Sequence, residues 1–241
     1  MAYDNGPENM NAKRGNPWSQ LPSGALIAPS LLACDFARVG EQIDQVLAAG
    51  ADLLHVDIMD GQFVPNLSMG PGFAASIRKY TDCPLDVHLM VSDAAYYLER
   101  FAEAGADSIT FHVEAVDEPG KLIARLRELG LGVGVTLRPG SNADMIREVV
   151  ADVDMVLVMT VEPGYGGQAF MTDMLAKIAE VRAMLRADQR LEVDGGINPD
   201  TASQCALQGA DVFVAGVNIF RSADIPGEVA RLRQAIVAAG R

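Results

Sequence analysis

The sequence predicts an α/β protein built as a single (β/α)8 TIM barrel, and three observations predict it. Three segments resemble one another: LAAGADLLHVD (47–57), AEAGADSITFH (102–112) and ALQGADVFVAG (206–216). Each reads as a helix end, a glycine suited to a left-handed C-cap, Ala-Asp, and a short β-rich run. One helix-to-strand link used repeatedly is the mark of alternating α/β structure. The second observation is a set of eight β-rich runs, near 26–30, 52–58, 84–90, 107–112, 131–136, 153–159, 190–194 and 211–215. They alternate with amphipathic stretches such as FARVGEQIDQVLAA and MTDMLAKIAEVRAML. The third is length: eight units fit between residues 25 and 241, within the span of compact barrels. A doubly wound open sheet is disfavoured because no GxGxxG follows the first strand.

Strand parity then says which side chains face inward. In the second strand Leu54, Val56 and Ile58 suit the outer helices, leaving His55, Asp57 and Met59 toward the barrel interior. In the third, Leu85, Val87 and Leu89 point out and Asp86, His88 and Met90 point in. The fourth ends on an inward His112, expected to line the pocket or to be structural, and the sixth closes on Met159. The seventh sends Leu191 and Val193 out, Glu192 and Asp194 in. These polar residues fall at the carboxyl ends of strands, where barrels build their active sites. Two imidazoles and two carboxylates, from His55, Asp57, His88 and Asp194, suit Zn²⁺ and also Mn²⁺, Fe²⁺ or Co²⁺. Asp86, one pleat deeper, is placed to orient an imidazole or to make a structural hydrogen bond.

The loops after the later strands carry a different signal. Gly164, Gly166 and Gly167 follow the sixth strand in MTVEPGYGGQAF, Gly195-Gly196 the seventh, and Gly216 the eighth. Clustered backbone N–H groups at such turns hold an anion, and the loops after strands seven and eight commonly hold phosphate in barrels. DGQFVPNLSMG (60–70) reads as a lid. The only lysines, Lys13, Lys79, Lys121 and Lys177, avoid strand ends, which disfavours Schiff-base chemistry, and no G-x-S-x-G nucleophile signature occurs.

Composition sets the outer bounds. The chain is 49% apolar and 21% charged, as expected of a globular protein with a sizeable core. Its net charge of −13 argues against nucleic-acid or anionic-membrane surfaces, but not against a small phosphorylated ligand held by backbone N–H groups. No apolar run approaches the length of a membrane span. Cys34, Cys83 and Cys205 lie far apart without a CxxC spacing, and they read as reduced thiols of a cytoplasmic protein. Residues 1–24 are polar, rich in Asn, Gly and Pro, and lack the apolar centre of a signal peptide. They are expected to form a flexible extension outside the fold, with residues 25–241 making the barrel.

Five segments, IAPSLLACDF, HVDIMDGQFVPN, DVHLMV, MTVEPGYGGQAF and EVDGGIN, resemble the signature segments of the ribulose-phosphate 3-epimerase family, in order over about residues 26–238. The resemblance implies a (β/α)8 fold and interconversion of D-ribulose 5-phosphate and D-xylulose 5-phosphate. It also implies one divalent metal, Zn²⁺ first, with Fe²⁺, Mn²⁺ or Co²⁺ as alternatives. The metal ligands it implies are His55, Asp57, His88 and Asp194, with Asp57 and Asp194 as the catalytic acid/base pair. Substrate contacts carried over are Ser30, His88, Gly164, Tyr165, Gly166, Gly167, Gly196, Gly216 and Val217; Met59, Met90 and Met159 would wall the pocket. Family members are commonly homo-oligomers. In one place the chain departs from the family pattern: Ala215-Gly216-Val217-Asn218 stands where A-G-S is usual. Alternative readings are a D-allulose-6-phosphate 3-epimerase, a metal-dependent aldol-cleaving enzyme, and a non-catalytic phosphate- or metal-binding barrel.

Overall fold

A computed structural model describes residues 15–240. Eight parallel strands form its sheet: β1 (Leu26–Pro29), β2 (Leu54–Met59), β3 (Leu85–Met90), β4 (Ser108–His112), β5 (Gly132–Leu137), β6 (Met155–Met159), β7 (Arg190–Asp194) and β8 (Val212–Ala215). Their spatial order is β1-β8-β7-β6-β5-β4-β3-β2. The ring closes between the two ends of that series, where Ser30 bridges His55 in parallel and the Asp52 N–H donates to the Ile27 carbonyl at 3.0 Å. The expected barrel is present.

The helices are α1 (Val39–Ala48), α2 (Pro71–Tyr80), α3 (Ala94–Glu103), α4 (Pro119–Leu129), α5 (Met174–Met184), α6 (Pro199–Leu207), α7 (Val217–Phe220) and α8 (Ile225–Ala238). Between β5 and β6, two 3-10 turns (Ala143–Ile146 and Val150–Asp152) stand where a helical stretch was expected. The Asn142 side chain caps the first turn, and Ile146 and Val150 still bury against the sheet.

The Gly-Ala-Asp repeat has a physical explanation. Gly50, Gly105 and Gly209 adopt φ of 93°, 95° and 106°, so each ends its helix in the left-handed region. At Gly105 a Cβ would sit 2.4 Å from Arg78 Cγ, which excludes any other residue. The aspartate that follows accepts from an N–H at the start of a neighbouring strand. Asp52 takes the Ile27 N–H at 2.8 Å, Asp107 the Leu85 N–H at 2.8 Å, and Asp211 the Leu191 N–H at 3.0 Å. Asp154 does the same for Val133 at 2.8 Å. Arginines pair with these carboxylates, Arg78 with Asp107 at 2.7 Å and Arg233 with Asp52 at 2.6 Å. The repeat is therefore a bolt at the amino-terminal end of the barrel, opposite the end that carries the polar strand residues.

One boundary differs from expectation. Residues 1–14 lie outside the described residues, but Pro17–Ser19 form a 3-10 turn packed on the barrel. Trp18, the chain's single tryptophan, is 5% exposed and joins the interior cluster with Leu26, Leu53, Met155 and Val212. Its Nε1–H donates to Ser108 Oγ at 2.9 Å, and a Cβ on Gly132 would stand 2.7 Å from its ring. The indole closes the amino-terminal mouth, because burying so large an apolar body outweighs the polar character of its neighbours. Trp18→Ala is expected to cost about 3–5 kcal/mol, read by urea unfolding followed by circular dichroism. A loss below about 0.5 kcal/mol, typical of a surface change, would remove Trp18 from the fold.

Candidate active site

The register of β2 against β3 assembles the site. His55 pairs with Asp86 and Asp57 with His88, so inward polar residues of adjacent strands lie side by side. From β7, reached across β1 and β8, Glu192 and Asp194 enter the same space. One ligand-type atom from each of His55, Asp57, His88 and Asp194 lies within 4.8 Å of the others. All four predicted ligands are thus brought together.

Individual contacts order this cluster. His55 Nδ1 lies 2.9 Å from Asp86 Oδ2, so Asp86 orients that imidazole. On the other side, His55 Nε2 is 3.3 Å from Asp57 Oδ1 and is buried without a hydrogen-bond partner. His88 Nδ1 is 3.1 Å from Asp57 Oδ1 and 4.0 Å from Asp194 Oδ2. Ser30 donates its hydroxyl to Asp57 Oδ2 at 2.5 Å.

The electrostatics are those of a crowded anionic pit. Burial alone would raise the Asp57 pKa, but the His55 and His88 imidazoles outweigh it and hold Asp57 well below the ordinary carboxylate range. Asp194 goes the other way, to about 7, through burial and the Asp57 charge. Burial, with Asp86 beside it, also pushes Glu192 well above its usual value. Burial disfavours a charged His55, yet Asp57, Asp86 and Glu192 around it keep its pKa well above that of a free imidazole. Four carboxylates around two imidazoles, with a buried His55 nitrogen left over, fit a divalent cation.

Above the cluster opens a cavity of about 290 Å³. Its lining holds Asp57, Asp194 and Ser30 at the base, Met59, Met90 and Met159 as an apolar wall, and Gly164, Tyr165, Gly166, Gly167, Gly196, Gly216 and Val217 at the rim. His55 and His88 are fully buried and are not part of the lining. His112, for which pocket lining was one expectation, is also absent from the cavity. It is buried against His88, with its pKa lowered to about 4 by burial.

Gly196, at the rim, is demanded by geometry. Gly196 has φ of 66°, and a Cβ there would lie 2.7 Å from the backbone nitrogen of Phe170. Phe170 itself lines the cavity and was not singled out from sequence, because nothing local marks an aromatic residue after a glycine loop as a wall. The β8 loop shows what its departure from the family pattern does. Val217 turns its methyls toward the β6 loop, with Cγ2 3.6 Å from where a Gly166 Cβ would stand. Asn218 lines the cavity and donates its amide to Glu228 of α8 at 3.2 Å.

The 60–70 segment lies over the β6 loop. Asn66 Nδ2 donates to the Gly164 carbonyl at 2.8 Å, and the Tyr165 hydroxyl reaches the Pro65 carbonyl at 3.4 Å. Arg138 stacks on the Phe63 ring at 4.0 Å and donates to its carbonyl at 2.8 Å.

Fold and site together define a (β/α)8 enzyme that works at the carboxyl-terminal mouth of its barrel. The profile of the ribulose-phosphate 3 epimerase family matches residues 26–220, and the chain belongs to that family of epimerases. The ribulose-phosphate 3-epimerase of Rhodobacter capsulatus is 46% identical over 201 residues, covering 83% of this chain and 87% of that protein. That of Bacillus subtilis is 42% identical, covering 86% and 97%. The cytoplasmic isoform of Oryza sativa subsp. japonica is 45% identical, covering 86% and 92%. Among solved structures, 3-hexulose-6-phosphate synthase from Salmonella typhimurium superposes with a TM-score of 0.68 at 22% identity, covering 89% of this chain and 99% of that one. At that identity the likeness shows the fold alone. Among the described residues no helix is long and apolar enough to cross a membrane.

Proposed function

We propose that the chain interconverts D-ribulose 5-phosphate and D-xylulose 5-phosphate by proton transfer between two carboxyl groups and C3, with a divalent metal, Zn²⁺ before Fe²⁺, Mn²⁺ or Co²⁺, held by His55, Asp57, His88 and Asp194. One observation carries the reading. Asp57, at the end of β2, and Asp194, at the end of β7, both reach the cavity, so two carboxyl groups from separate strands face one bound carbon.

Inverting C3 of a 2-ketose requires removing a proton α to a carbonyl and returning one to the other face. A single base would return it to the face it left. One of Asp57 and Asp194 accepts from one side while the other donates from the opposite side, and the roles exchange in the reverse reaction. The metal, when bound, supplies Lewis-acid stabilisation of the charge that develops on the sugar oxygens. Ser30 fixes the Asp57 carboxylate by its hydroxyl. Met59, Met90 and Met159 exclude water from the reacting carbon. The phosphate is held by backbone N–H groups of the glycine rim and of the first turn of α7, since the cavity lining contains no Lys or Arg.

Val217 favours a second reading, a hexulose 6-phosphate substrate, because its methyls replace the hydroxyl usual at that rim position. Turnover of D-ribulose 5-phosphate and of D-allulose 6-phosphate, by the protein and by Val217→Ser, separates the two. The pentose is expected to have the higher kcat/KM in both, with Val217→Ser altering KM rather than kcat. Preference for the hexulose would overturn the pentose reading, and turnover of neither would leave a binding barrel. The three cysteines form no disulfide, which supports a cytoplasmic location. Exposed Phe36, Leu67 and Leu207 offer apolar surface for a homo-oligomer.

A further inference from the structure

Two of the chain's three histidines, His88 and His112, stand in one line of polar contacts, and its far end is a carboxylate that touches neither cavity nor cluster. His88 Nε2 and His112 Nε2 face each other at 3.0 Å. A ring nitrogen donates when it carries hydrogen and accepts when it does not, so one of these two bears the hydrogen and the other a lone pair. On the far side of His112, Nδ1 stands 3.4 Å from Glu114 Oε2. Both atoms are buried and neither has a hydrogen-bond partner among the described residues, so this longer polar contact is what each has.

Glu114 cannot turn away from this duty. Its other oxygen, Oε1, accepts from the Arg138 N–H at 2.7 Å and from the Ser141 hydroxyl. A carboxylate only accepts, so Glu114 Oε2 demands a hydrogen on His112 Nδ1. His112 Nε2 is then the lone pair, His88 Nε2 carries the hydrogen, and His88 Nδ1 is left bare. That nitrogen faces Asp57 Oδ1 at 3.1 Å and Asp194 Oδ2 at 4.0 Å. Two neutral imidazoles bring two hydrogens to three contacts, and the contact that goes without is the one a cation fills.

We infer that Glu114, acting through His112, is a positioning residue that draws the imidazole hydrogens away from the cluster and so makes His88 Nδ1 a metal-binding lone pair. The inference rests on the reading of His88 as a ligand. Neither Glu114 nor His112 lines the cavity, and His112 meets the cluster at His88.

Glu114→Gln tests it by reversing the line. Arg138 N–H and Ser141 hydroxyl both donate, so they select the amide oxygen of Gln at the Oε1 position. The amide nitrogen is thereby turned toward His112 Nδ1. A donor there forces the hydrogen onto His112 Nε2, the lone pair onto His88 Nε2, and a hydrogen onto His88 Nδ1, where it competes with the metal. Zn²⁺ affinity, measured by competition with a chromogenic chelator, is expected to fall about 10–100-fold, the usual cost of losing an outer partner of a ligand. In ¹⁵N-histidine-labelled, Zn²⁺-loaded protein, long-range ¹H–¹⁵N correlation is expected to show His88 as the Nε2–H form and His112 as the Nδ1–H form. Unchanged affinity and unchanged histidine nitrogens in Glu114→Gln would overturn the inference while leaving the ligand reading intact. Failure of the unaltered protein to take up Zn²⁺ would overturn the ligand reading and the inference with it. If Glu114→Gln does not fold, the spectrum of the unaltered protein decides: the opposite hydrogen order overturns the inference, the stated order supports it.

Discussion

Asp57→Asn and Asp194→Asn are each expected to lower turnover by about 10²–10⁴-fold, the range that a positioned acid or base contributes. The barrel is expected to stay folded in both. Asp194 sits where burial and the neighbouring Asp57 charge raise its pKa to about 7, so an amide resembles its protonated form. Asp57 is held ionised by two imidazoles and accepts the Ser30 hydroxyl, and an amide oxygen keeps the acceptor while losing the charge. Circular dichroism and the emission of the buried Trp18 report the fold; formation of D-xylulose 5-phosphate reports the activity. A deuterium experiment sharpens the test. Each variant retains one proton carrier, so residual exchange of the C3 hydrogen in D₂O is expected for one epimer only, and for opposite epimers in the two variants. Near-normal turnover in either variant, or exchange of the same epimer in both, would sink the two-carboxyl assignment.

Removal of the metal is the second large effect. Asp57, Asp86, Glu192 and Asp194 converge on His55 and His88, and His55 Nε2 is buried without a partner. Without a cation, that much like charge in one buried place is held only by protons. Exhaustive chelation is therefore expected to abolish turnover, and return of Zn²⁺ or Mn²⁺ to restore it. Stability should follow. A ligand present at 100 times its Kd adds about 2.7 kcal/mol to the folded state. For a chain of this size that corresponds to a rise of about 5–10 °C in Tm. Chelated protein with the same turnover and Tm as the loaded form would show that the cluster is a structural network rather than a metal centre.

The sequence alone was informative wherever a property is local. Period-two alternation in LHVDIM and LDVHLM told inside from outside in β2 and β3, because adjacent side chains in a strand must point to opposite faces. Strand ends carried the polar pairs, and the strand-to-helix order placed those ends at one mouth. The Gly-Ala-Asp repeat announced the alternating architecture, though not the work of its aspartates. Those bond to N–H groups of other strands 20 to 25 residues away, a matter of packing that no local pattern encodes.

What tertiary structure decided were contacts between segments that the chain holds far apart. Trp18 looked like part of a polar arm and instead closes the barrel floor, 90 residues from the Ser108 hydroxyl it meets. His112 has the parity of a pocket residue, but lateral packing against His88 keeps it out of the cavity. Asn218, one position after the altered Val217, lines the cavity while its amide is held by Glu228 on α8, a contact between segments ten residues apart. The sequence determined the barrel, its inward faces and the four side chains that converge. Tertiary packing decided which imidazole nitrogen each neighbour claims, because hydrogen-bond direction depends on a fraction of an ångström between strands and not on the order of residues along them.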